Sequence, residues 1–159
     1  MLLGGVLVVS DRGWRGERRD ESGEVVCEYI SQLGIKIARY AIVPDEVDII
    51  SATLKEWADV EGIDLIVTSG GTGLAARDVT PEATLAVLDK TVPGLSEAMR
   101  IETAKKKPEA LLSRAVAGIR GKCLIINLPG SPAAVKECFE VILAVLPHAI
   151  EILSGKGHE

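Results

Sequence analysis

Residues 63–73, Ile63-Asp64-Leu65-Ile66-Val67-Thr68-Ser69-Gly70-Gly71-Thr72-Gly73, decide the fold. An apolar run without alternation leads directly into three glycines within four positions. A strand covered on one face alternates apolar with polar residues; one without alternation fits a parallel sheet covered by helices on both faces. Three further runs of this kind recur, at Val6–Val9, Ile35–Val43 and Cys123–Leu128. Between them lie helical stripes: Val25, Val26, Tyr29, Ile30 and Leu33, then Val47, Ile50, Leu54 and Trp57. The clearest stripe is Val135, Cys138, Phe139, Ile142, Leu143 and Leu146, spaced three and four residues apart. Strands alternating with helices predict a three-layer α/β/α fold with a mostly parallel central sheet.

Length and composition narrow the class. At 159 residues, with no linker, composition break or internal repeat, positions 1–159 read as a single domain. A content of 47% hydrophobic and 26% charged residues excludes intrinsic disorder. Eighteen Lys and Arg against 23 Asp and Glu give a net charge of −5, the wrong sign for a nucleic-acid binder. The aromatic residues Trp14, Tyr29, Tyr40, Trp57 and Phe139 are too scattered to stack bases. An anionic ligand must therefore be held locally, by backbone N–H groups and a few cations. Cys27, Cys123 and Cys138 show no metal spacing and read as reduced, buried small hydrophobes of a cytoplasmic protein. No apolar run approaches the roughly 20 residues of a membrane span. Residues 1–10, MLLGGVLVVS, lack a basic leader and run straight into Asp11-Arg12, so they read as a first strand.

In open α/β sheets ligands bind beyond the carboxyl ends of the strands, where the strand order reverses. Four loops leave strand ends here: Ser10-Asp11-Arg12, opening a charged stretch that runs to Asp20-Glu21-Ser22-Gly23; Pro44-Asp45-Glu46; Ser69–Gly73; and Leu128-Pro129-Gly130-Ser131-Pro132. The glycine loop allows positive φ and a close approach to main-chain N–H groups, the makings of an anion nest. Thr80 reads as the cap of the next helix with Pro81 at its first position, and Arg77 adds a full charge beside it. Ser131 and Pro132 repeat that pattern. Asp78 has two readings: a cap of its own turn, or a carboxylate holding Mg²⁺ against a nucleotide phosphate. Asp45 could supply a second carboxylate, or simply cap a helix.

Other chemistries find little support. Gly71-Thr72-Gly73-Leu74-Ala75-Ala76 matches the dinucleotide pattern G-x-G-x-x-A. However, Pro81 delays the helix and no ribose-binding acid follows, which disfavours a nicotinamide oxidoreductase. There is no Walker loop and no nucleophile elbow. His148 and His158 are too few and too distant for a metal cluster or a triad, with His158 in a fraying end. Lys105-Lys106-Lys107 reads as a solvated helix end.

Ser69-Gly70-Gly71-Thr72-Gly73, followed by Arg77-Asp78-Val79-Thr80-Pro81-Glu82-Ala83-Thr84, resembles the signature of the molybdopterin adenylyltransferase (MogA/MoaB) family. Pro93-Gly94-Leu95 through Met99-Arg100, Leu112-Ser113-Arg114, Gly118–Lys122, Ile126–Ser131 and Leu146–Ile150 are similar too, the last also to the gephyrin N-terminal domain. The resemblance spans Ser10 to about Leu153. It implies a molybdopterin-binding-domain-like fold and a cytoplasmic homotrimer. The implied reaction transfers AMP from Mg·ATP to the terminal phosphate of molybdopterin, releasing pyrophosphate. A downstream metal-insertion enzyme is the implied partner, with neither nucleic acid nor membrane involved. Carried onto this sequence, Ser69, Gly70, Gly71, Thr72 and Gly73 bind nucleotide, and Asp45 and Asp78 are the catalytic, Mg²⁺-binding pair. Ser10, Ser113, Arg114, Asn127, Pro129, Gly130 and Ser131 face the pterin substrate. The alternative within the resemblance is a non-catalytic molybdopterin-binding or scaffold protein. The presence of both aspartates and a complete glycine loop favours the enzyme.

Overall fold

Valine, leucine and isoleucine dominate the segments that become strands in the structure, a computed structural model describing residues 1–155. The strands are β1 (Leu3–Val9), β2 (Lys36–Val43), β3 (Leu65–Ser69), β4 (Lys90–Thr91), β5 (Ala117–Arg120) and β6 (Cys123–Leu128). They form one sheet in the order β2-β1-β3-β6-β5-β4. The pairs β1–β2, β1–β3 and β3–β6 are parallel; β6–β5 and β5–β4 are antiparallel. The helices are α1 (Asp11–Trp14), α2 (Glu21–Gln32), α3 (Val47–Asp59), α4 (Thr80–Leu85), α5 (Pro93–Ala104), α6 (Pro132–Ile142) and α7 (Leu146–Leu153). His158 lies outside the described residues.

Alternate residues of each inner strand serve opposite cores, which is why these segments show no polar face. Val6, Val8, Leu65, Val67, Leu124, Ile126 and Leu128 pack with α2, α5, α6 and α7 around Phe139. Leu7, Val9, Ile66, Cys123 and Ile125 pack on the other face with α3 and α4 around Ile50, Leu54 and Trp57. The expectation of cover on both faces fails only for Ile35–Val43. Its strand β2 lies at the sheet edge with one neighbour, so Arg39 and Tyr40 reach solvent. The edge pair β4 and β5 was not foreseen, because two and four residues are too few for any periodicity to register.

The chain runs from β1 outward to β2, then crosses back to β3 on the other side of β1. Strand order therefore reverses between β1 and β3. Their loops emerge side by side at the edge that also receives the loop after β6.

Candidate active site

The loops after β3 and β6 are joined at their bases. Ser69 Oγ donates to the Pro129 carbonyl at 2.8 Å, and the Gly70 N–H to the Leu128 carbonyl at 3.0 Å. The Gly70 amide, expected in the anion nest, is thus already engaged. The N–H groups of Gly71, Thr72, Gly73, Gly130 and Ser131 meet no protein acceptor among the described residues. Those five amides are the donors a ligand could use. Gly70 and Gly71 have φ of 105° and 70°, a region that side chains rarely tolerate. A Cβ on Gly71 would run into Thr80 Oγ1 and come within 3.1 Å of Asp45 Oδ1.

Thr80 does not cap α4 as expected; Val79 occupies that position, without a side-chain bond. Instead the buried Thr80 hydroxyl donates to the Gly70 carbonyl at 2.9 Å, and its N–H to the Gly71 carbonyl at 3.1 Å. Thr80 therefore anchors the glycine loop. Ser131 does cap α6, accepting from the Ala134 N–H at 3.2 Å, and Pro132 follows it.

Asp45 and Asp78 share a polar cleft of about 620 Å³ with Ser10, Ser69, Gly70, Gly71, Gly130 and Ser131. Asp78 Oδ2 accepts from the Ala75 N–H at 3.0 Å, so its turn-capping reading is right. It does not exclude the other reading, because Oδ1 has no protein donor among the described residues. Asp45 caps no helix: Oδ2 accepts from the Asp11 N–H at 2.9 Å and Oδ1 is left open. Burial pushes the Asp45 carboxyl above its ordinary pKa, and the charges of Asp11 and Asp78 add to the rise. Two carboxylates with one open oxygen each suit Mg²⁺, which takes one or two carboxylates and completes its shell with phosphate and water. No group of three or more His, Cys, Asp or Glu side chains forms a metal cluster among the described residues.

Arg77, expected to face the anion, is turned away from that task. Nε and Nη2 hold Asp11 at 3.0 and 2.9 Å, and Nη2 also reaches Glu46 at 3.2 Å. The cleft's cations are Arg12, Arg18 and Arg19, from the charged stretch that the sequence left without a role. Arg19 pairs with Glu24 at 3.2 Å; Arg12 and Arg18 pair with no carboxylate among the described residues. Ser10 begins this stretch by capping α1, accepting from the Gly13 N–H at 3.0 Å.

A second cleft of about 540 Å³ lies on the other side of the glycine loop. Leu74, Met99, Leu112, Ala115, Pro129 and Ala134 make it largely apolar; Arg100 and Lys107 bring positive charge and Glu109 and Glu137 negative charge, and Thr72, Gly73, Ser113, Asn127 and Ser131 border it. Ser131 lines both clefts. Arg114 braces the loop between them: Nε donates to the Gly73 carbonyl at 2.8 Å, Nη2 to the Asp78 carbonyl at 2.7 Å, and Nη1 to Glu82 at 2.5 Å. Asn127 is fully buried, and its amide is engaged internally. Nδ2 donates to Thr68 Oγ1 and Thr84 Oγ1, both at 3.0 Å, while Oδ1 accepts from the Val116 N–H at 3.2 Å. Asn127→Leu leaves those partners unsatisfied in the core and should cost about 2–4 kcal/mol in urea unfolding. A loss below about 1 kcal/mol would refute this role.

All three cysteines are free. Burial raises the Cys123 thiol to about 12 and that of Cys138 to about 11, which leaves both inert as nucleophiles. No helix among the described residues is long and apolar enough to cross a membrane.

Residues 5–148 match the family model described as "Probable molybdopterin binding domain". The chain is 45% identical over 153 residues to the molybdopterin adenylyltransferase of Helicobacter pylori J99, covering 95% of this chain and 87% of that protein. It is 47% identical over 150 residues to the Drosophila melanogaster molybdenum cofactor synthesis protein cinnamon, covering 94% of this chain but only 25% of that larger protein. Among solved structures, the molybdopterin biosynthesis enzyme MoaB of Thermus thermophilus superposes with a TM-score of 0.93 at 51% identity, covering 100% of both chains.

Proposed function

This chain belongs to the molybdopterin-binding-domain family of molybdenum cofactor biosynthesis, and on that premise we propose that it is an adenylyltransferase that joins AMP from Mg·ATP to the terminal phosphate of molybdopterin. The observation that carries this reading is the pair of clefts meeting at Ser131, with the unengaged amides of Gly71, Thr72 and Gly73 between them. One cleft offers carboxylates, arginines and amides to a triphosphate. The other offers a flat heterocycle an apolar slot whose polar lining includes Arg100, Lys107, Glu109 and Glu137.

In this reading a phosphate oxygen of molybdopterin bonds to the α-phosphorus of ATP as the bond to pyrophosphate breaks. Both reactants are anions, so the protein's tasks are positioning and charge neutralisation. The amides of Gly71–Gly73, at the junction of the clefts, hold phosphate oxygens, Arg12 and Arg18 offset their charge on the side that Gly130 lines, and Ser113, Pro129 and Ser131 border the pterin substrate. Asn127 and Arg114 act from behind, fixing the strand and the loop that shape the cleft. Asp45 and Asp78 would hold the Mg²⁺; when bound, it neutralises phosphate charge and favours departure of pyrophosphate. No side chain acts as a covalent nucleophile.

The protein works in the cytoplasm as a homotrimer and delivers adenylylated molybdopterin to a metal-insertion enzyme. Exposed Ile101 on α5 and Leu111 in the turn after it support assembly, being apolar surface that a neighbouring subunit would cover. Sedimentation at micromolar concentration should show three chains; a monomer would refute the assembly. Incubation with molybdopterin, ATP and Mg²⁺, followed by mass analysis, should reveal the AMP adduct. Tight molybdopterin binding without the adduct would refute catalysis and point to a carrier.

A further inference from the structure

Asp11 and Asp45 are bonded reciprocally across 34 positions of sequence. The Asp11 N–H donates to Asp45 Oδ2, and the Asp45 N–H to Asp11 Oδ1, each at 2.9 Å. Arg77, 66 positions from Asp11, then grips both oxygens of the Asp11 carboxylate, at 3.0 and 2.9 Å. Its third contact, with Glu46 at 3.2 Å, ties the same guanidinium to the residue after Asp45. Three loops, after β1, β2 and β3, are thereby linked at the point where strand order reverses.

Both Asp11 oxygens are occupied, which removes it as a direct ligand. What it controls is Asp45. Unrestrained, an aspartate χ2 is broad and roughly two-fold, so its two oxygens readily exchange places. Here Oδ2 is tied to the β1 loop and Oδ1 is directed toward Gly71, where an added Cβ would meet it at 3.1 Å.

Resting on the adenylyl-transfer reading above, we infer that Asp11 is a positioning residue: clamped by Arg77, it holds the Asp45 carboxylate with one oxygen bound and the other presented to the divalent cation of a metal–nucleotide complex. Outer partners of metal ligands commonly change affinity or activity about 10- to 100-fold when removed.

The test is Mn²⁺ binding, followed by electron paramagnetic resonance in the presence of a non-hydrolysable ATP analogue, alongside steady-state kinetics with Mg·ATP. Asp11→Ala should weaken nucleotide-dependent Mn²⁺ binding about 10-fold and lower kcat about 30-fold, with the KM for molybdopterin moving less than about 2-fold. Asp11→Asn retains an acceptor for the Asp45 N–H and should recover part of both losses, whereas the similarly sized but apolar Asp11→Leu should recover neither, which a purely steric role would not predict. Arg77 is exposed, so Arg77→Gln should fold even where Asp11→Ala does not; it should weaken Mn²⁺ binding about 3- to 10-fold. Wild-type Mn²⁺ affinity in both Asp11→Ala and Arg77→Gln, while Asp78→Asn loses the ion, would overturn the positioning role and leave the transfer reading intact. Absence of nucleotide-dependent Mn²⁺ binding in the wild type would overturn both.

Discussion

Asp78→Asn should lower the rate of AMP transfer by about 100- to 1,000-fold, the scale on which a single group aimed at developing charge contributes. The substitution is nearly isosteric. The asparagine carbonyl can still accept from the Ala75 N–H, so the turn before α4 and the brace from Arg114 to the Asp78 carbonyl should persist. What disappears is the formal charge on the open oxygen. Thermal stability and molybdopterin binding should therefore stay near wild type, while the Mg²⁺ concentration for half-maximal rate rises. A rate within about 3-fold of wild type would show that Asp78 is only a turn cap. A collapse of molybdopterin binding would place the residue in the other cleft.

Gly70→Ala should be the most destabilising single change in the loop. At φ 105° the new side chain is strained wherever it points, and its Cβ would be driven into the carbonyl oxygen of Val9. That oxygen is backbone of a central strand and cannot swing aside. Strain of this kind costs about 1–3 kcal/mol by itself, and displacing β1 adds to it. A loss of about 3 kcal/mol would lower the midpoint by roughly 6–12 °C for a chain of this size. Gly130→Ala is the control, because its Cβ meets only the Gly70 Cα at 3.5 Å, an ordinary contact. Calorimetry should show the first variant melting well below the second. Equal midpoints would mean the loop relaxes freely and does not hold its amides rigidly.

Much of this arrangement is visible in the residue order, and the remainder has identifiable causes. Val6–Val9, Ile63–Val67 and Cys123–Leu128 announce their strands because both faces of each are buried, which leaves no polar interruption to misread. The glycine loop is legible for the same local reason: positive φ demands glycine, and its neighbours set where the strand stops. Ser131 and Pro132 at the start of α6 follow a cap grammar that spans only four residues. Thr80 shows where that grammar fails. It has the composition of a cap, yet tertiary packing draws its hydroxyl to the Gly70 carbonyl, ten positions earlier. Arg77, Arg114 and Asn127 likewise make contacts that no local pattern announces, because the partners that engage them lie 32 to 66 positions away. The lock between Asp11 and Asp45 has no local signature, since two acidic residues in separate loops give no sign that each accepts the other's amide.

The most direct test of the central claim is a crystal structure with molybdopterin, a non-hydrolysable ATP analogue and Mn²⁺, the ion located by its anomalous scattering. The ion should lie on the open oxygens of Asp45 and Asp78, with the triphosphate against the amides of Gly71–Gly73 and the pterin in the apolar cleft. A triphosphate bound elsewhere, with those amides facing only solvent, would contradict it.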